Sequence, residues 1–149
     1  MFLEDLSTWQ SQGLGNLAKA VGWLDSSHEY SMGHVSVDFF EKLVALLKNP
    51  WSPVVTAGRH RCSFCLFTGG PSDLSYAGDT VILGSSILIV PTNEALFVAP
   101  SMIAHYVDAH KYSPPTMFVQ AVLNCPEMRS ISYLRMIRAH GVEKRISGK

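Results

Sequence analysis

The stretch Gly58-Arg-His-Arg-Cys-Ser-Phe-Cys65 places one imidazole and two thiols, those of His60, Cys62 and Cys65, within six residues. Two thiolates separated by two residues can hold one tetrahedral ion through a tight turn, and a nearby imidazole can add a third ligand. The segment His105-Tyr-Val-Asp-Ala-His110 offers two more imidazoles. We therefore predict a zinc site that joins the knuckle (residues 60–65) to a later helix.

The fourth ligand is chosen between His105 and His110. Five residues apart on a helix, the two side chains point about 140° away from each other. Both do not easily reach one ion unless the helix ends before His110. That residue also shares an apolar stripe with Ile103 and Tyr106, which is typical of a hydrogen-bonded core histidine. The predicted ligands are therefore His60, Cys62, Cys65 and His105, with His110 as the alternative fourth ligand.

Two other chemistries could use the same cysteine pair. A redox dithiol requires the pair at a helix N-terminus, where the thiolate pKa falls, and Leu66-Phe-Thr-Gly-Gly70 does not have a helical pattern. A catalytic zinc needs an open coordination position and a nearby acid or base, for which Asp108, His110 and Asp79 are candidates. The sequence contains no catalytic zinc motif and no Walker loop. A structural metal in a non-catalytic domain is favoured, and a three-ligand zinc-dependent hydrolase is the alternative.

The composition predicts a single globular domain over residues 1–149, because 47% of the residues are hydrophobic and 16% are charged. Lys+Arg and Asp+Glu number 12 each, which argues against a dedicated nucleic-acid-binding protein. The low charge leaves less polar surface than usual. A protein partner or a homo-oligomer would cover the remaining apolar surface.

The chain contains no apolar run long enough to span a membrane and no secretory leader pattern. It has three cysteines, two of them in the C-x-x-C pair, which fits a reducing cytoplasm better than a disulfide framework. The third, Cys125, is a weaker ligand candidate because a cysteine ahead of Pro126 is more often a small buried residue. We therefore expect a cytoplasmic protein that has no contact with a membrane.

Apolar periodicity predicts helices on both sides of a small antiparallel sheet, an α+β fold. Asn16 can cap a first helix that carries Leu17, Ala20, Val21 and Leu24 on one stripe. Ser36 caps a second helix, which ends at Asn49-Pro50. The apolar positions of this second helix are Phe40, Leu43, Val44 and Leu47.

Short apolar runs at 54–55, 66–68, 80–83, 87–90 and 95–98 predict the sheet, either as a meander or with a strand bulged at Gly84. After Pro100 the pattern predicts three helices. The second of them has Pro114 and Pro115 in its first turn, and the third runs from Ser130 to Gly141 with Ile131, Leu134 and Ile137 inward. Residues 1–15 are expected to form an arm and residues 142–149 a frayed tail.

One extended pattern resembles a family of small uncharacterised bacterial proteins. It joins Gly58-x-His60-x-Cys62-x-x-Cys65 to Ala99-Pro100-x-x-Ile103-x-His105-Tyr106-x-x-x-His110-x-Tyr112-x-Pro114-Pro115-x-x-Phe118. The similarity covers residues from about Trp23 to Asn124, a range that also contains His28 and Tyr30. The resemblance supports the metal site and implies no substrate.

Overall fold

The structure, a computed structural model, describes residues 2–9, 18–52, 60–65 and 67–141. The strands are β1 (Ala18–Ala20), β2 (Asp73–Tyr76), β3 (Asp79–Ile82), β4 (Ile87–Pro91) and β5 (Leu96–Pro100), and the helices are α1 (Val37–Leu47), α2 (Ile103–His110), α3 (Thr116–Asn124) and α4 (Ile131–Ala139). The predicted α+β class is confirmed. Some predictions fall on residues outside these ranges. They concern the strand at 54–55, Leu66 of the strand at 66–68, the end of the N-terminal arm and the tail at 142–149. Within the described ranges, no helix is both long and apolar enough to cross a bilayer.

The central sheet has the strand order β1-β5-β4. Strands β4 and β5 form an antiparallel hairpin in which Ile89 lies opposite Val98, and every residue of both strands is buried. Their sequences are continuous apolar runs because helices cover the sheet, with both α3 and α4 in contact with β4. This hairpin confirms one part of the predicted meander.

A second sheet is the hairpin of β2 and β3, and it corrects the other part of the prediction. The turn-rich segment from 69 to 79 lies between the predicted strands at 66–68 and 80–83, yet Asp73–Tyr76 pairs antiparallel with Asp79–Ile82. Ala77 and Gly78 connect the two strands with φ of 51° and 86°, as a two-residue hairpin turn requires. Gly84, at φ 85°, then separates β3 from β4, so neither the full meander nor a continuous bulged strand forms.

The predicted first helix is wrong for the described residues 18–24. Residues 18–20 form strand β1, which pairs parallel with β5 and places Lys19 opposite Phe97. The described N-terminal residues lie against the same strand through the bridge from Thr8 to Lys19. Gly22 follows with φ of 80°, outside the helical region, and a Cβ there would come within 2.8 Å of Ile103 Cδ1. The apolar residues of the predicted stripe from Ala20 to Leu24 are buried, but they lie in an extended segment and not in a helix.

The remaining helices form where they were predicted, and three details differ. In α1 the fully buried phenylalanine is Phe39, whereas the predicted Phe40 is partly buried. Ser36 caps α1 by accepting a hydrogen bond from Phe39 N, as expected. Helix α3 begins after Pro115, so the proline pair precedes the first turn instead of forming it. In α4, Ile137 is buried as predicted, but Ile131 is 75% exposed and Tyr133 is buried, its hydroxyl donating to Ile89 O at 2.6 Å. Because Ile131 follows the Ser130 cap directly, it lies at the open end of the helix.

Candidate metal centre

Four potential ligands converge between the knuckle and helix α2. Cys62, Cys65, His105 and His110 each offer one ligand atom, and these atoms all lie within 4.8 Å of one another. Cys65 Sγ is 3.3 Å from His105 Nε2 and 3.6 Å from His110 Nε2. Cys62 Sγ is 3.4 Å from His110 Nε2. This cluster could hold a metal ion.

The spacing of these atoms can be compared with a zinc tetrahedron. Zn–S bonds of about 2.3 Å and Zn–N bonds of about 2.0–2.1 Å place neighbouring sulfur and nitrogen ligands about 3.5–3.6 Å apart. The three sulfur–nitrogen distances of 3.3, 3.4 and 3.6 Å fall close to that edge length. Both imidazoles also present the same atom, Nε2, to the sulfurs. Three of the six edges therefore agree with a tetrahedral ion, and the other three are each no longer than 4.8 Å.

A tight turn brings the two thiols together. Cys65 N donates to Cys62 O at 3.4 Å, Cys62 N donates to Gly69 O at 2.6 Å, and Gly69 N donates to Cys65 O at 3.0 Å. Gly70, at φ 89°, closes the loop over the cysteine, since a Cβ at this position would lie 2.8 Å from Cys62 Cβ. The Gly69-Gly70 pair is thus required for the turn. In the sequence, this glycine pair is the feature that indicates a loop folding back onto the C-x-x-C motif.

The end of helix α2 brings the two histidines together. His110 is the last helical residue, and Lys111 adopts a left-handed conformation with φ of 56°. The two imidazole rings have their centroids 4.9 Å apart and lie nearly perpendicular, at 84°. The expectation that these side chains point away from one another is therefore wrong. Cys65 Sγ reaches Nε2 of both rings at the end of the helix, where no further helical turn follows His110.

His60 lies outside the cluster although it was predicted to be a ligand. Its Nε2 is 3.2 Å from the Tyr106 hydroxyl, and its backbone N donates to Gly84 O at 2.6 Å. The ring also packs edge-on against Trp23. Three of the four predicted ligands, Cys62, Cys65 and His105, therefore lie together. The alternative fourth ligand, His110, lies with them where His60 was predicted. Which of these residues bind a metal stays a prediction.

Burial sets the protonation of the cluster in the absence of an ion. Desolvation lowers the pKa of His110 and raises the pKa of the Cys62 thiol. A neutral imidazole is the form that binds a metal, so burial prepares His110 for that role. A neutral thiol is not a strong ligand, but a bound divalent cation reverses the local preference and deprotonates it. Metal binding at this site would therefore release protons.

Aromatic contacts hold the knuckle against the rest of the protein. The Phe64 ring packs against Tyr30, Tyr106 and His110, with centroids 5.2, 6.0 and 5.1 Å away. Tyr30 in turn donates its hydroxyl proton to His110 O at 2.8 Å. These contacts fix the knuckle relative to α2 and to the segment before α1. Packing therefore helps to bring the four potential ligands together.

The burial of the four groups favours a closed site. Cys62 is 1% exposed and His105 is 6% exposed, while Cys65 and His110 are partly buried. Four protein ligands would fill a tetrahedral coordination shell and leave no position for water or substrate.

The comparisons with known proteins place the chain in a family without assigning an activity. No curated protein and no solved structure shows significant similarity to the chain. A family model described as "Domain of unknown function (DUF7919)" matches residues 1–123, a range that includes the knuckle and helix α2. The bacterial origin and the particular pattern suggested by the sequence stay predictions. Because the match spans most of its length, the chain belongs to this domain family of unknown function.

Proposed function

We propose that the protein is a zinc-binding domain in which Cys62, Cys65, His105 and His110 hold one structural Zn²⁺. The observation that carries this proposal is the set of three sulfur–nitrogen distances, 3.3–3.6 Å, which agree with three of the six edges of a zinc tetrahedron. The ion would join the knuckle to α2. Because the two parts are 40 residues or more apart in sequence, the ion would close a long loop and add to the free energy of folding.

The chemistry of the ligands favours zinc over other metals. Two thiolates and two imidazoles are typical of structural zinc sites, whereas magnesium and calcium prefer oxygen ligands. A cytoplasmic location, where thiols remain reduced, is part of the same proposal, and the three cysteines are free thiols in the structure.

The competing hydrolase would need a water in the fourth position and a free acid or base. In the structure His110, one candidate base, lies inside the ligand cluster, and Asp108, another, is exposed on the helix surface. A closed set of four ligands leaves catalysis without a coordination position for substrate. We therefore propose a non-catalytic role.

Metal analysis of the purified chain tests the structural proposal. We expect one zinc per chain and an X-ray absorption spectrum with two sulfurs at about 2.3 Å and two nitrogens at about 2.0–2.1 Å. Chelation should lower the melting temperature sharply, since zinc binding contributes to folding. A chain that binds no zinc and melts identically with and without chelator would show that thiol–imidazole hydrogen bonds alone hold the cluster. A spectrum with a bound water would favour the hydrolase.

We also propose that the segment held by the zinc makes a protein contact, and that the partner is a second copy of the chain. Phe67, two residues after Cys65, is fully exposed, and an exposed aromatic side chain is well suited to anchor an interface. Phe67→Ser should reduce self-association in sedimentation velocity while zinc content and melting temperature stay unchanged. Met32→Ser, at another exposed apolar position, is the control. A wild-type chain that remains monomeric at high concentration would exclude this partner.

A further inference from the structure

We propose that the metal centre is a peroxide-sensitive switch, in which oxidation begins at Cys65, Cys62 resolves the product, and the disulfide formed between them expels the zinc. This inference rests on the proposed zinc site and adds a mode of regulation to it. It does not make the protein a redox catalyst, because the zinc-bound pair reacts once and must then be reduced by another thiol.

The two cysteines differ in access to solvent. Cys65 is partly exposed, whereas Cys62 is 1% exposed and lies beneath Gly70 in the folded loop. Susceptibility to oxidation follows thiolate character and exposure. Coordination by zinc would supply the thiolate at both positions, so access decides which sulfur meets a small oxidant first. That sulfur is Cys65.

The turn between the two cysteines permits a disulfide without unfolding the chain. The hydrogen bond from Cys65 N to Cys62 O closes the turn, so the two Cα atoms lie within the roughly 7 Å that defines such a turn. Disulfides span Cα separations of about 4.4–6.8 Å. The ligand atoms of both residues already lie within 4.8 Å of one another. Only a local adjustment of the knuckle is needed to form the bond.

The remaining thiol is protected from the same reaction. Cys125 is 4% exposed, and burial raises its pKa to about 11. It follows α3 and does not belong to the ligand cluster. A buried neutral thiol reacts slowly with peroxide. Cys125 therefore serves as an internal control within the same chain.

The chemistry balances with hydrogen peroxide as the oxidant. The Cys65 thiolate attacks one peroxide oxygen, the O–O bond breaks, and hydroxide leaves while Cys65 becomes a sulfenic acid. The Cys62 thiolate then attacks that sulfur, the S–O bond breaks, and a second hydroxide leaves as the disulfide forms. The two sulfurs lose two electrons in total and the two peroxide oxygens gain them. The zinc ion keeps its charge and loses both thiolate ligands.

Loss of the thiolates would release the zinc and, with it, the connection between the knuckle and α2. Two imidazoles alone would hold Zn²⁺ far more weakly than two imidazoles and two thiolates. The aromatic contacts of Phe64 and the contact between His60 and the Tyr106 hydroxyl would then link the knuckle to the helix. The position of Phe67 on the surface would change with the state of the cysteines.

The experiment uses the zinc-loaded full chain, treated with increasing hydrogen peroxide in the presence of a chromogenic zinc chelator. We expect release of the bound zinc in step with a mass loss of two hydrogens and a disulfide that peptide mapping assigns to Cys62 and Cys65. Early trapping with dimedone should label Cys65. Dithiothreitol followed by zinc should restore the metal content. The Cys125→Ser variant should release zinc at the same rate as the wild type.

The outcomes separate this inference from the zinc proposal beneath it. If the purified chain holds no zinc before oxidation, the proposed function fails first. If it holds zinc but retains it under peroxide, the switch is wrong and the structural site stands. Early dimedone labelling of Cys62, a disulfide to Cys125, or release accompanied only by sulfinic acids would also overturn the proposed order of reaction.

Discussion

Replacing His110 with alanine is expected to empty the metal centre, whereas the same replacement of His60 should leave one zinc bound per chain. His110 Nε2 lies 3.4 Å from Cys62 Sγ and 3.6 Å from Cys65 Sγ, so its loss removes one corner of the tetrahedron. Loss of an outer partner of a metal ligand typically costs 10–100-fold in metal affinity, so removing a ligand itself should cost more than about 100-fold. Because zinc binding contributes to folding, the His110→Ala chain should also melt at a lower temperature.

The His60→Ala chain is the matched control because it also lacks one imidazole close to the knuckle. His60 contacts the Tyr106 hydroxyl and packs against Trp23, so its replacement should destabilise the fold moderately, without a loss of zinc. Zinc content and competition with a chelator of known affinity measure both variants. Zinc loss from His60→Ala, with zinc retained by His110→Ala, would restore the ligand set predicted from the sequence and contradict the one proposed from the structure.

The sequence identified the residue types of the candidate centre but not its full membership. The cysteine pair is local, so its spacing alone indicates a turn that brings the two thiols together. The roles of His60 and His110 depend on where the knuckle meets α2, which local spacing does not determine. The end of the helix decides this contact, and Pro114 after Lys111 was the available sign that α2 stops at His110. The angle of about 140° between His105 and His110 holds only within a continuous helix, and α2 ends at His110.

The fold shows the same division between local and distant information. Helix α1 was predictable because its cap at Ser36, its apolar stripe and its stop before Pro50 lie within one short segment. Strand β1 was not, because three residues at Ala18–Ala20 are extended only through pairing with β5, far along the chain. The apolar residues from Ala20 to Leu24 are buried in either conformation, so their pattern cannot choose between helix and strand. Pairing with the distant strand β5 is what makes Ala18–Ala20 a strand.

The two proposals on the metal centre depend on a scaffold that has its own stability. The core is formed mainly by aromatic and aliphatic side chains of β4, β5, α1, α3 and α4, and of the ligand cluster it includes Cys62, with Cys65 packed against it. Zinc loss is therefore expected to loosen the knuckle and the end of α2 more than the sheet. A variant that weakens the scaffold alone should lower the stability of the zinc-bound and zinc-free chains by similar amounts.

Phe118→Ala is that variant, and we expect it to lower the free energy of unfolding by about 3–5 kcal/mol. The Phe118 side chain is fully buried between Phe39 of α1 and Phe97 of β5, with ring centroids 6.3 and 5.9 Å away, so truncation leaves a cavity where a helix meets the sheet. Urea denaturation measures the change against Met117→Ala, the neighbouring position on α3, whose side chain is 55% exposed and whose replacement should cost less than about 0.5 kcal/mol. Since small domains are stable by only about 5–15 kcal/mol, the Phe118 variant should be close to unfolding once zinc is removed. A loss below about 1 kcal/mol would mean that the three rings do not form the packed contact between α1, α3 and β5 on which the position of the site depends.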